Sequence, residues 1–133
     1  FVGDQNNDGL LEMGEILGLD LNADLVVLSA CNTASGTGED DHGEGFAGLT
    51  RSFMYAGAKS LFVTQWSVES SSAKTLVQTT FIKAQETSKG EALALSKRTM
   101  VENGELIEFD ADLSASLAHP YFWAPYILVG EAQ

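Results

Sequence analysis

The chain has 133 residues, 44% of them hydrophobic and 20% charged, and a formal net charge of -12. Such apolar content supports a packed core and excludes a disordered chain, and the length suits one domain at most. The acidity argues against nucleic acid or an anionic membrane surface as a partner, no run of 18 apolar residues is present, and one cysteine cannot form an internal disulfide. A lone thiol fits a reducing, cytoplasmic setting. The opening residues Phe1-Val2-Gly3-Asp4 resemble neither a signal peptide nor an initiator, so the chain reads as cut from something longer.

Residues 1–12 are polar and contain glycine, which suits a loop; residues 12–18 suit one or two helical turns stopped by Gly18. Leu25-Val26-Val27-Leu28-Ser29-Ala30 is a short aliphatic run bounded by polar residues, the pattern of a buried strand. Residues 32–44 combine Gly36, Gly38 and Gly43 with Glu39, Asp40 and Asp41, an acidic loop. Phe46, Leu49, Phe53 and Met54 have helical spacing, and Gly57 ends that helix. A second strand is expected over 60–66, helices over 69–87 and 90–103, an irregular acidic surface excursion over 104–118, and a closing strand within 124–130. Strands separated by helices imply an α/β fold with a parallel or mostly parallel sheet. The strand at 25–30 is apolar on both faces, as a central strand would be, yet only one neighbour is evident. The sheet is therefore expected to be truncated on its N-terminal side, with one edge open.

Cys31 stands where the first strand stops and the glycine-rich loop begins. Ligands of α/β sheets bind outside the carboxyl ends of the strands, which makes Cys31 a candidate nucleophile. The competing reading is a small buried residue, since free cysteine is among the most buried types.

A second motif opens the chain. Asp4-Gln5-Asn6-Asn7-Asp8-Gly9-Leu10-Leu11-Glu12-Met13-Gly14-Glu15 fits the EF-hand loop pattern D-x-[DN]-x-[DN]-G-x5-E without a gap. Calcium takes oxygen ligands at loop positions 1, 3, 5, 7, 9 and 12. These would be Asp4, Asn6, Asp8, the Leu10 carbonyl, Glu12 and Glu15, with Gly9 at the sharp turn. The competing reading makes Asp8-Gly9 a turn and lets Glu15 start a helix.

Several blocks in register resemble one family. Leu25-Val26-Val27-Leu28-Ser29-Ala30-Cys31-Asn32-Thr33-Ala34 looks like the "LVVLSACxTA" segment of CHAT domains. Gly43-Glu44-Gly45-Phe46-Ala47-Gly48-Leu49 resembles their "GEGxxGL" helix start, and Phe53-Met54-Tyr55-Ala56-Gly57-Ala58-Lys59-Ser60 their "FxxAGAKSV". Gln65-Trp66-Ser67-Val68 resembles "LWxV", and His119-Pro120-Tyr121-Phe122-Trp123-Ala124-Pro125-Tyr126 resembles "HPYYWAPF" before a closing strand. The resemblance covers nearly the whole chain, so residues 1–133 are expected to be the C-terminal part of one such domain.

CHAT domains are caspase-like, related to separases, and often attached to TPR repeats. The resemblance implies a three-layer sandwich of sheet and helices and a cysteine endopeptidase with a Cys–His dyad acting on protein or peptide substrates, no cofactor being required. Cys31 maps onto the nucleophile. The dyad histidine belongs to an "ATHG"-like segment upstream of Phe1, so the isolated chain is expected to be inactive. Neither His42, in the acidic loop, nor His119, in the aromatic block, replaces it. Trp66, Val68 and Glu69 follow the second strand, where the family's substrate cleft lies. Glu69, or Glu39, Asp40 and Asp41 in the cysteine loop, would receive a basic side chain by charge pairing; the alternative is a solvated acidic loop on an acidic protein. A rival reading is a non-catalytic CHAT interaction module that responds to calcium.

Overall fold

The computed structural model describes residues 11–28, 42–110 and 113–133. The elements follow in chain order as α1 (Met13–Leu17), β1 (Val26–Leu28), α2 (His42–Tyr55), β2 (Ser60–Thr64), α3 (Ser70–Lys83) and α4 (Lys89–Asn103), then β3 (Leu106–Asp110), β4 (Leu113–Ser116), α5 (Pro120–Trp123) and β5 (Tyr126–Gly130). Local chemistry sets the limits of the longer helices. The Glu69 carboxylate caps the start of α3. Ser88 caps α4 through a bond from the Glu91 N–H, and Gly104 ends it in the left-handed conformation at φ 54°.

β2 is the centre of a three-stranded sheet ordered β1-β2-β5, and all five of its residues are buried. Alternation along it feeds two cores. Phe62 joins Leu76, Leu93, Met100, Leu117, Phe122 and Tyr126 on the side of α3, α4 and α5. Leu61 and Val63 join Ile16, Phe53, Ala56 and Ala58 on the side of α1 and α2. Helices therefore cover both faces of the sheet. Among the described residues β1 has β2 on one side and no strand on the other. No helix among them is long and apolar enough to cross a membrane.

The sheet is mixed, which corrects the expectation of a mostly parallel one. β1 and β2 are parallel, with Leu28 opposite Val63, whereas β5 runs antiparallel to β2, with Tyr126 opposite Thr64. The reason is the number of helical crossings. α3 and α4 pack against each other. α4 begins beside the far end of β5, where the Gly90 N–H donates to the Ala132 carbonyl at 3.0 Å. It passes the near end, where Lys97 Nζ donates to the Tyr126 carbonyl at 2.7 Å. Two helices, α3 down and α4 back, leave the chain at the carboxyl end of β2, so the next strand must descend. Half-burial pushes the Lys97 ammonium pKa down.

A second correction concerns residues 104–118. The irregular excursion is a hairpin, with β3 and β4 antiparallel and Ile107 opposite Ala115. Ile107, Ala115 and the buried Leu117 turn an apolar face to the core, while Leu106 and Leu113 stay exposed. Period-two burial organised this stretch despite its acidic composition.

At the opposite end of the sheet the chain makes a close crossing. Gly57 has φ 105°, and a Cβ there would collide with the Leu21 carbonyl oxygen. Asp24 and Lys59 form an exposed ion pair at 2.6 Å, which lowers the carboxyl pKa and raises the ammonium pKa, chiefly through their hydrogen bond.

Candidate functional site

The parallel pair β1 and β2 ends on one side of the sheet. Leu28 and Val63 are partners there. The Gln65 N–H donates to the Pro125 carbonyl at 3.1 Å, so the segment entering β5 meets the segment leaving β2 at the same end. Residues 65–69 and α5 therefore share the carboxyl end of the strands, where ligands of open α/β sheets bind.

The three sequence-predicted residues after β2 behave differently. Trp66 is 40% exposed, and its indole Nε1 donates to the Tyr121 carbonyl at 3.1 Å. Its ring lies 6.5 Å from that of Tyr121, tilted by 32°. Val68 is half-buried and packs on the core that contains Phe62 and Leu76. Glu69 is committed to α3. Oε1 accepts from the Ser71 N–H at 2.8 Å, while Oε2 accepts from the Ser72 N–H at 2.9 Å and the Ser71 hydroxyl at 2.5 Å. These bonds, the Ser71 hydroxyl foremost, hold the Glu69 carboxyl below its ordinary range, so it carries its charge at neutral pH.

Tyr121 was not singled out by sequence reasoning, yet it joins the parts of this site. Besides accepting from Trp66, it donates its hydroxyl to the Ser67 carbonyl at 2.8 Å. Its position follows from α5. His119 caps this short helix, its Nδ1 accepting from the Tyr121 N–H at 3.2 Å, and Pro120 occupies the first helical turn. The Trp123 indole donates to the Ala118 carbonyl at 3.0 Å, and Phe122 anchors the turn in the core. His119 thus orders the approach to β5. The signal for Tyr121 was its place in the aromatic run 119–126.

Cys31, Asp40, Asp41, Asp4, Asn6, Asp8 and Leu10 lie outside the described residues. Of the candidate calcium ligands, Glu12 and Glu15 are described. Glu15 Oε2 accepts from the Glu12 N–H at 2.9 Å at the start of α1, as the returning bond of a capping box does. Among the described residues no group of three or more His, Cys, Asp or Glu side chains gathers to hold a metal.

Comparison with known proteins agrees with the sequence pattern. The tetratricopeptide repeat protein 28 of Mus musculus is 30% identical over 121 residues, which are 91% of this chain and 4% of that protein. The chain therefore spans a small part of that relative's length. No solved structure gives a match. The family model of the CHAT domain matches residues 1–131, and the chain belongs to the CHAT-domain family.

Proposed function

We propose that this chain is the nucleophile-bearing, C-terminal part of a caspase-like cysteine endopeptidase, with Cys31 as nucleophile and its histidine supplied from upstream of residue 1. The observation that carries the reading is register. Leu28 is opposite Val63, Cys31 is three residues beyond the first, and Trp66 is three residues beyond the second. In this reading the thiol works at the carboxyl end of the parallel pair, the end where Trp66, Val68, Glu69 and Tyr121 lie.

In this reading the histidine takes the thiol proton and the thiolate attacks the scissile carbonyl. The C–N bond breaks as the imidazolium returns the proton to the leaving amine, and water then hydrolyses the thioester. Backbone N–H groups, that of Cys31 included, stabilise the oxyanion. Trp66 and the residues after it line the peptide-binding side, and the Glu69 charge, with Asp40 and Asp41, favours a basic side chain of the substrate. The similarity to a protein named for tetratricopeptide repeats supports such repeats as neighbours in the parent chain. The loop 4–15 is proposed to take calcium through Asp4, Asn6, Asp8, Leu10, Glu12 and Glu15, in support of the fold and not of the chemistry.

The test uses the parent protein and an electrophilic peptide ketone with a basic residue at the reacting end. Covalent labelling that disappears in Cys31→Ala supports the peptidase. Absence of labelling across varied peptides, with the fold intact, replaces it with a non-catalytic interaction module.

A further inference from the structure

Tyr121 makes two hydrogen bonds from α5 to the segment leaving β2. Its carbonyl accepts from the Trp66 indole and its hydroxyl donates to the Ser67 carbonyl, so one residue grips two consecutive ones across 55 and 54 positions of sequence. The gripping residue is itself held. Its N–H is bonded to His119 Nδ1, and its ring meets that of the buried Phe122 edge-on at 5.4 Å and 89°. Yet Tyr121 is 47% exposed and Trp66 40%. Half-exposed rings add little to a core. What the pair does is restrain residues 66–68 from the side of α5, at the carboxyl end of the sheet.

Resting on the peptidase reading above, we infer that Tyr121 is a positioning residue, which clamps residues 66–68 as one wall of the peptide-binding cleft. A clamped wall loses no conformational freedom when a peptide lies against it, so binding is tighter than to a loose one. Tyr121 touches no reacting atom. Its loss therefore weakens the capture of a peptide and leaves the reactivity of the Cys31 thiol as it was. In steady state KM rises and kcat holds.

Tyr121→Phe removes the hydroxyl and nothing else. In the parent protein three readouts are compared with wild type: hydrogen exchange of the backbone over 65–69, the alkylation rate of Cys31 by a peptide chloromethyl ketone, and its alkylation rate by iodoacetamide, which needs no cleft. The expected result is faster exchange over 65–69, peptide alkylation slowed about fivefold, the worth of one hydrogen bond, and iodoacetamide alkylation unchanged within twofold. His119→Ala, which removes the acceptor that holds the Tyr121 N–H and lies outside residues 66–68, gives the same pattern and decides the matter if the first variant does not fold. Equal slowing by both reagents overturns the inference in favour of a general structural role. Unchanged peptide alkylation overturns it while the peptidase reading stands. A wild-type protein that no peptide reagent labels, though iodoacetamide does, defeats the peptidase reading and this inference with it.

Discussion

Glu69→Ala removes three acceptor bonds at once, those from the Ser71 N–H, the Ser72 N–H and the Ser71 hydroxyl. The first turn of α3 then has donors that only water can satisfy. Loss of an N-cap costs about 1 kcal/mol. For a chain of 133 residues the unfolding entropy is roughly 280 cal/mol/K, so this loss lowers Tm by about 3–4 °C. The pH dependence has a fixed sign. The folded-state pKa of Glu69 lies below that of the free side chain. Its contribution is therefore complete above the unfolded value, about 4.3, and is lost as pH falls through the folded one. Differential scanning calorimetry of wild type and Glu69→Ala checks this: the gap in Tm is full at pH 7 and closes on acidification below about pH 4. No gap at pH 7, or an undiminished gap at pH 3, refutes the capping argument. Glu69→Gln separates the cap from the charge. It keeps one acceptor oxygen and lowers Tm less than alanine does, and a receptor role for the carboxylate shows as a raised KM for basic peptides but not for neutral ones.

Leu76 is fully buried in the core beneath α3, so Leu76→Ala costs about 2–5 kcal/mol, read as a lowered urea midpoint with unchanged slope. Gly57 and Gly104 both have positive φ, but a Cβ at Gly104 meets only the Ser116 hydroxyl at 3.6 Å. Gly104→Ala therefore costs about 1–2 kcal/mol of conformational strain, and Gly57→Ala costs more, because its Cβ runs into the Leu21 carbonyl; equal costs in chemical denaturation would contradict the close crossing. Millimolar calcium is expected to raise the Tm of wild type and not that of Glu15→Ala. The same substitution lowers Tm without metal through the lost bond to the Glu12 N–H, so the two effects separate in one titration, and no rise in wild type removes calcium.

Where a segment's structure depends on its own residues, the sequence was legible. The helix expected over 90–103 is Lys89–Asn103, since Ser88 caps its start, Gly104 ends it, and the stripe Ala92, Leu93, Ser96 and Met100 lies between them. The strand expected over 60–66 is Ser60–Thr64. The helix expected over 69–87 stops at Lys83, where Ala84 caps it and single turns bonded to the Ile82 and Lys83 carbonyls carry the chain on to Ser88. The hairpin over 106–116 was not legible. Its alternation is short, Glu108 is exposed among apolar neighbours, and its stability comes from Ile107 and Ala115 reaching a core built by other segments.

The site was legible to the same extent and failed for the same reason. Trp66, Val68 and Glu69 follow a strand, and reading along the chain places them at its carboxyl end. Nothing along the chain shows that Glu69 spends both oxygens on its own helix while Trp66 is held from 55 residues away. That contact depends on the direction of β5. A parallel β5 would begin at the other end of the sheet, and the turn of α5 that precedes it would lie there too, beyond reach of Trp66. Because α3 and α4 make two crossings, α5 arrives at the carboxyl end first and β5 descends from it. The reversed strand and the unforeseen tyrosine are one fact: the topology that makes the sheet mixed is what carries Tyr121 to the end of the sheet where the parallel pair β1 and β2 stops.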